Sequence, residues 1–434
     1  MLAANSTGTG SPTLILMHFL GGSAREWQEV VAALGPQVHT VAVDLPGFGD
    51  SAHLPGYTVT EMADAVAELI DSLHLERYLL VGHSLSGKVA AVLAARRPTG
   101  LEGIILIAPS PPGPEPMAPG KREKMLAAFG ALQPDDHLRA RAYVTKYEER
   151  ILAEDVLARA TEDVLRMNRA AWTAWIERGS LEDWSARVGT LTLPTLLVTG
   201  DRDTSLGLAI QQQTTLSHFP NAITKVVAEC GHLVPMEKPH ELATLIAEFL
   251  ATLSIPQPYL NFIHSDRVSP RTRELLLERT KPRSATPRAL TEAQMTTLRA
   301  VVARVIPQQQ NPIDLAGFID ERLAAGHTDG WRYDVLPPDR EAYAASLDAL
   351  AAQSFSILPA ADQDAILHQI AATPSAQARW FEDLRADAVK FWMAHPQTLA
   401  RIGYSGIGIG GAHTPHAGFV TLDPGTTEPW EPAS

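Results

Sequence analysis

Three side chains in this sequence have the types and surroundings needed for nucleophilic chemistry. Ser84 lies in Val81-Gly82-His83-Ser84-Leu85-Ser86-Gly87, where a strand ends, a sharp turn follows and a helix begins at once. Such a turn holds the central serine in a strained backbone conformation with its hydroxyl at the carboxyl edge of a sheet. Small residues must flank it because strand and helix pass close together. Gly82 and Ser86 meet that need, although Ser86 stands where glycine is usual, with Gly87 beside it. A serine hydroxyl is a weak nucleophile at neutral pH and needs a base within hydrogen-bond reach. His232, in Glu229-Cys230-Gly231-His232-Leu233-Val234-Pro235, is the candidate. It is one of 15 histidines, and its place between the last strand and the last helix separates it from a surface-loop histidine. The base in turn needs a carboxylate on its other ring nitrogen. Thr199-Gly200-Asp201-Arg202-Asp203 offers two. Asp203 is preferred; Asp201 is the fallback, with turn capping or pairing with Arg202 as its alternative role. An oxyanion formed in acyl transfer needs two backbone donors. One is the Leu85 amide, just after the serine. The other belongs to His18-Phe19-Leu20-Gly21-Gly22-Ser23, where glycines permit close approach and Leu20 is the assigned donor.

These residues require a sheet whose strands end at one edge. Short apolar runs at Leu14–Met17, Val38–Asp44, Tyr78–Val81, Ile104–Ile107, Thr195–Thr199 and Ile223–Val227 supply it. Helical stretches such as Val59–Leu73, Lys88–Ala95 and His240–Leu253 alternate with them, the pattern of a parallel sheet covered on both faces. The alternation breaks once. From Ser110 to Gly189 a proline-rich opening leads into helical text without a good strand, read as a helical cap at 110–189. Trp172, Trp175 and Trp184 are expected to pack that cap on the sheet.

Residues 256–288 are read as a linker, punctuated by prolines and carrying seven Lys or Arg against three acids from Asp266 to Arg288. Arg273–Arg279 is long enough for a short helix. Residues 289–434 read as a second, mostly α-helical domain, opened by a capping box at Thr291 and Gln294. Gly406-Ile407-Gly408-Ile409-Gly410-Gly411 spells a dinucleotide fingerprint, but no strand precedes it and no helix follows. His395, His413 and His416 lack a nearby carboxylate cluster, so no metal site is assigned.

Length and composition set the frame. The 434 residues are enough for two or three domains. With 45% hydrophobic and 20% charged residues the chain has ordinary globular composition. Lys and Arg number 36 against 49 acids, a net charge of −13 that disfavours nucleic acid and anionic membrane as partners. The single cysteine, Cys230, excludes an internal disulfide framework and a Cys-rich zinc site. The run Leu14–Leu20 is too short to span a membrane, and Met1–Gly10 has no Lys or Arg, so a cytoplasmic location is expected.

On these motifs residues 1–255 resemble the capped, cofactor-free branch of the α/β-hydrolases. The residues that carry the likeness are His18–Ser23, Asp44-Leu45-Pro46-Gly47-Phe48-Gly49-Asp50-Ser51, the Ser84 turn, Gly200–Asp203 and Gly231-His232. The order serine, aspartate, histidine agrees with them. Phe19, where that family commonly has glycine, and Ser86 are departures. The resemblance implies no cofactor, and esterase, lactonase, amidase, C–C hydrolase or cofactor-free perhydrolase chemistry. Dehalogenases and epoxide hydrolases of this fold use an aspartate nucleophile, so Ser84 argues against both. Residues 289–434 resemble subunit 3 of the gluconate 2-dehydrogenase family. That likeness rests on Leu290-Thr291-Glu292-Ala293-Gln294, Arg304-Val305-Ile306-Pro307, Phe355–Gln363 and Ile402-Gly403-Tyr404. It implies a flavoprotein dehydrogenase as partner. The expected activity is a serine hydrolase acting on a small carboxylic ester or lactone through an acyl-enzyme. The alternatives are an accessory subunit of a flavin-dependent sugar or alcohol dehydrogenase, and a C–C hydrolase or perhydrolase.

Overall fold

The computed structural model describes residues 1–129, 136–146, 152–284, 286–308, 313–328, 333–404 and 406. The apolar runs form strands because both of their faces are covered. Thr13–Met17 (β2), Thr40–Val43 (β3), Tyr78–His83 (β4) and Thr195–Gly200 (β6) are buried throughout. With Leu101–Ile107 (β5), Ala222–Val227 (β7) and Ala4–Thr7 (β1) they make a seven-stranded sheet in the order β1-β3-β2-β4-β5-β6-β7. All neighbours are parallel except β1, which runs antiparallel to β3 with Ala4 opposite Val43. This is an α/β-hydrolase fold. β1 is exposed along its length, and β7 exposes Val226 at the other edge.

Helices Val59–Ser72, Leu85–Ala95 and Pro239–Thr252 cover the sheet. The first opens with a reciprocal Thr58–Glu61 capping box and buries Val59, Met62, Val66 and Leu69 at helical spacing. Leu85–Ala95 is buried almost all round, so its sequence shows little polar face.

Between β5 and β6 the described cap comprises helices Lys121–Phe129, Asp136–Thr145, Glu154–Arg166, Arg169–Glu177 and Ser185–Val188. Its centre is Trp172, edge-on to Phe129 and Tyr143, with its indole N–H donating to the Met125 carbonyl at 3.0 Å. Arg25 clamps the cap by donating to the buried Asp163 at 2.7 and 2.9 Å.

Contacts divide the chain into residues 1–249 and 250–434. The second unit is helical. Glu292–Val305, Leu315–Ala325, Asp339–Ala351, Ala360–Ala372 and Ala376–Ala394 enclose Leu298, Val301, Ile319, Leu347, Phe355, Trp380 and Leu384. The Thr291–Gln294 capping box is present. The linker reading of 256–288 is corrected, because this stretch contains helices Gln257–His264 and Pro270–Thr280. They bury Tyr259, Ile263 and Leu276 with Leu399 and Ala400. Among the described residues no helix is long and apolar enough to cross a membrane.

Candidate active site

The turn after β4 forces Ser84 to φ 56° and ψ −116°, in the half of conformational space that L-residues avoid. The crossing of strand and helix is tight. A Cβ on Gly82 would lie 2.5 Å from the Ser86 carbonyl oxygen, and one on Gly87 would lie 2.4 Å from Pro109 Cβ. Ser86 is tolerated because its side chain turns away from that crossing. Its hydroxyl accepts from the His83 amide at 2.9 Å and donates to the Met17 carbonyl at 2.8 Å, tying the turn to β2.

His232 comes to Ser84 from the loop after β7. The Ser84 hydroxyl lies 2.9 Å from Nε2, and the Asp203 carboxylate lies 2.8 Å from Nδ1. With Asp203 ionised, Nδ1 carries the ring proton and donates to it, leaving Nε2 to accept the Ser84 proton. The other Asp203 oxygen accepts the amides of Ser205 and Leu206 at 2.7 and 3.1 Å. Burial alone raises the Asp203 pKa, but the His232 charge and these donors prevail and hold it at about 2. Burial works against a charged His232, yet Asp203 outweighs it and raises the imidazole above its ordinary value. Asp201 is elsewhere: it accepts the Cys230 amide at 3.2 Å and lies 3.6 Å from Arg202.

The loop after β2 also reaches the site. The Phe19 amide donates to Glu26 at 2.9 Å, and the Tyr143 hydroxyl of the cap donates to the Leu20 carbonyl at 3.0 Å. Among the described residues, no acceptor takes the Leu20 amide or the Leu85 amide.

Further residues not marked by the sequence join the site. Buried Glu237 accepts the amides on both sides of His232, from Gly231 and Leu233, each at 3.0 Å. Lys88, four residues after Ser84 and fully buried, donates to the carbonyls of Gly179, Ser180 and Glu182 at 3.0–3.3 Å. Burial pulls that ammonium down to about 8. Glu237 stands five residues beyond the candidate base, a spacing that by itself marks no role. Nothing local points to the Lys88 partners, which are about ninety residues away.

Cys230 is buried, and burial pushes its thiol pKa up, away from nucleophilic use. His395 is buried in the second unit, held at about 4 by burial, and accepts the Gln397 amide at 3.2 Å. No group of three potential metal ligands occurs among the described residues. Apart from Gly406, the Gly406–Gly411 string lies outside the described residues, as do His413 and His416.

Comparison with known proteins agrees with this architecture. The profile of the Alpha/beta hydrolase family matches residues 14–245, and that of Gluconate 2-dehydrogenase subunit 3 matches residues 292–411. The 2-succinyl-6-hydroxy-2,4-cyclohexadiene-1-carboxylate synthase of Enterobacter sp. is 28% identical over 254 residues, covering 56% of this chain and 92% of that protein. A 2-hydroxy-6-oxononadienedioate/2-hydroxy-6-oxononatrienedioate hydrolase of Burkholderia vietnamiensis is 25% identical over 258 residues, 57% of this chain and 89% of its own. The solved esterase EaEST from Exiguobacterium antarcticum superposes with a TM-score of 0.52 at 18% identity, over 57% of this chain and 95% of that one. At that identity the likeness concerns the fold. With more than half its length matched, the chain belongs to the Alpha/beta hydrolase family and carries a Gluconate 2-dehydrogenase subunit 3 domain after it.

Proposed function

We propose that the chain is a serine hydrolase that cleaves a carboxylic ester or lactone. The observation that carries this reading is the chain of contacts from Ser84 Oγ to His232 Nε2 and from His232 Nδ1 to Asp203, at 2.9 and 2.8 Å, on a serine held at positive φ. Ser84 attacks the carbonyl carbon while His232 takes its proton, and Asp203 holds the ring and stabilises the imidazolium. The amides of Leu85 and Leu20 receive the developing oxyanion. His232 then returns the proton to the departing alcohol oxygen, which in a lactone stays tethered to the acyl group. Water, activated by His232, releases the acid and restores Ser84. The test is hydrolysis of a panel of aryl esters and lactones by the wild type and by Ser84→Ala. Turnover in the wild type and its loss in Ser84→Ala is expected; equal turnover in both overturns the reading.

The match over residues 292–411 supports a second role, as a partner of a dehydrogenase. A flavin-containing chain that co-purifies with the full-length protein, and not with residues 1–249 alone, is its expected signature. Recovery of the full-length protein free of any such chain from its native cells counts against it.

A further inference from the structure

A second carboxylate–imidazole pair lies beside the first. Glu26 follows the Leu20 loop in the turn Ala24–Trp27 and is buried. Its Oε2 accepts the Phe19 amide at 2.9 Å, and its Oε1 lies 2.5 Å from Nδ1 of His83, with both side chains at most 1% exposed. His83, the residue before Ser84, sends its other nitrogen to the backbone carbonyl of His232 at 2.9 Å. The rings of Phe19, His83 and His232 follow one another at 5.6 and 5.2 Å. There is no slack in the arrangement. A Cβ on Gly22 would come within 2.7 Å of the Phe19 ring and 3.1 Å of Glu26 Oε2.

Proton counting shows what the pair does. A carbonyl only accepts, so His83 Nε2 carries a proton and donates to His232. Glu26 Oε2 accepts from the main chain, which leaves one proton between Oε1 and Nδ1. Whichever atom holds it, the bond fixes the His83 ring. One carboxyl group therefore joins the loops after β2, β4 and β7, which carry Leu20, Ser84 and His232. Asp203 orients the His232 ring; the Glu26–His83 pair sets the height of the His232 main chain and turns the Phe19 amide away, leaving the next amide, Leu20, for substrate.

We propose that Glu26, acting through His83 and Phe19, is a positioning residue for both the base and the Leu20 oxyanion donor. The inference rests on the serine hydrolase reading. An interaction with the oxyanion is made only in the transition state, so its disturbance lowers kcat and leaves KM in place. A pair that merely stabilised the fold would change the melting temperature and not kcat per folded molecule.

The experiment uses the full chain and a p-nitrophenyl ester, with active molecules counted by fluorophosphonate titration and Ser84→Ala run in parallel. Glu26→Ala is expected to lower kcat by about 10²-fold, the effect of losing one oxyanion donor, with KM within about twofold. Glu26→Gln, whose amide can accept from Phe19 and donate to Nδ1 of neutral His83, is expected to restore most of that loss. Glu26→Asp keeps the carboxyl group but is one methylene short; it is expected to give the same fall in kcat and carries the test if the alanine variant does not fold. A kcat within about threefold of wild type in the folded alanine or aspartate variant overturns the proposal, as does a change confined to KM. If Ser84→Ala retains turnover, the hydrolase reading itself fails; if Ser84→Ala is inactive and the Glu26 variants are unaffected, only the positioning role fails.

Discussion

In residues 1–249 the buried carboxylate of Asp203 holds an imidazole whose second nitrogen faces a serine hydroxyl. In residues 250–434 the partly buried carboxylate of Asp387 takes the Arg322 guanidinium at 2.7 Å and the Tyr343 hydroxyl at 2.8 Å. Arg322 is also engaged by Asp339 and the His327 carbonyl. Nearby Asp320 accepts three consecutive amides, from Arg288, Ala289 and Leu290. Burial acts on both aspartates, yet their pKa values move apart. Asp203 is held at about 2 by His232 and two amides, whereas for Asp387 burial prevails over Arg322 and raises the value. Burial and pairing therefore do not identify a reactive group. The chain of contacts through Asp203 ends on a hydroxyl at a strained residue, beside amides that no acceptor among the described residues takes; the Asp387 cluster closes on itself.

Asp203→Asn tests the first half of that comparison most severely. Geometry is kept but the tautomer and the charge support are lost, so kcat is expected to fall by about 10⁴-fold. The pH profile adds a sign. Only neutral His232 accepts the Ser84 proton, so activity is present at high pH and lost as pH falls through the imidazole pKa. Asp203 raises that pKa above the ordinary histidine value, so in the proposed relay the acid limb of kcat/KM is expected above pH ~6.5 in the wild type. Residual activity of Asp203→Asn should show the limb at lower pH; an unmoved limb contradicts the electrostatic role of Asp203.

Arg322→Met breaks the closed cluster. It leaves Asp387 and Asp339 without their shared cation, and the expected cost is about 3–5 kcal/mol in denaturant unfolding of residues 250–434. Esterase kcat should not change, since no group of the proposed relay comes from this unit. A large fall in kcat with little loss of stability would reverse the contrast between the two units.

Lys88→Met is the mildest change. It removes the donor to three cap carbonyls while retaining most of the apolar stem, and about 1.5–3 kcal/mol is expected from the melting curve of the hydrolase unit. An unchanged curve means that those carbonyls find other donors.

Much of the site was legible because a parallel sheet brings successive loops to one edge. Ser84, Asp203 and His232 are far apart in sequence, but each follows a strand, so element order alone predicted that they meet. β2, β4 and β6 were legible as continuous apolar runs covered on both faces. β1 was not, because Ala4–Thr7 is a polar edge strand with no apolar pattern. In 256–288 the sequence marked Arg273–Arg279 as long enough for a short helix, whereas the helix Gln257–His264 and the first turn of Pro270–Thr280 were hidden by their own start signals. Pro258 and Pro270 read as breakers, but each stands in the first turn of a helix, where the missing amide proton costs nothing. Glu237 and Lys88 were illegible for another reason: they bind main-chain groups, whose positions only the folded chain defines, and Glu26 binds the Phe19 amide together with the side chain of His83, 57 residues away.

The most direct test of the account is mass-spectrometric mapping of the full-length protein after reaction with a fluorophosphonate at neutral pH. One adduct on the peptide containing Ser84, slowed strongly in Asp203→Asn and absent in Ser84→Ala, is predicted. An adduct on another residue, or esterase turnover that persists when Ser84 is neither labelled nor present, would contradict it.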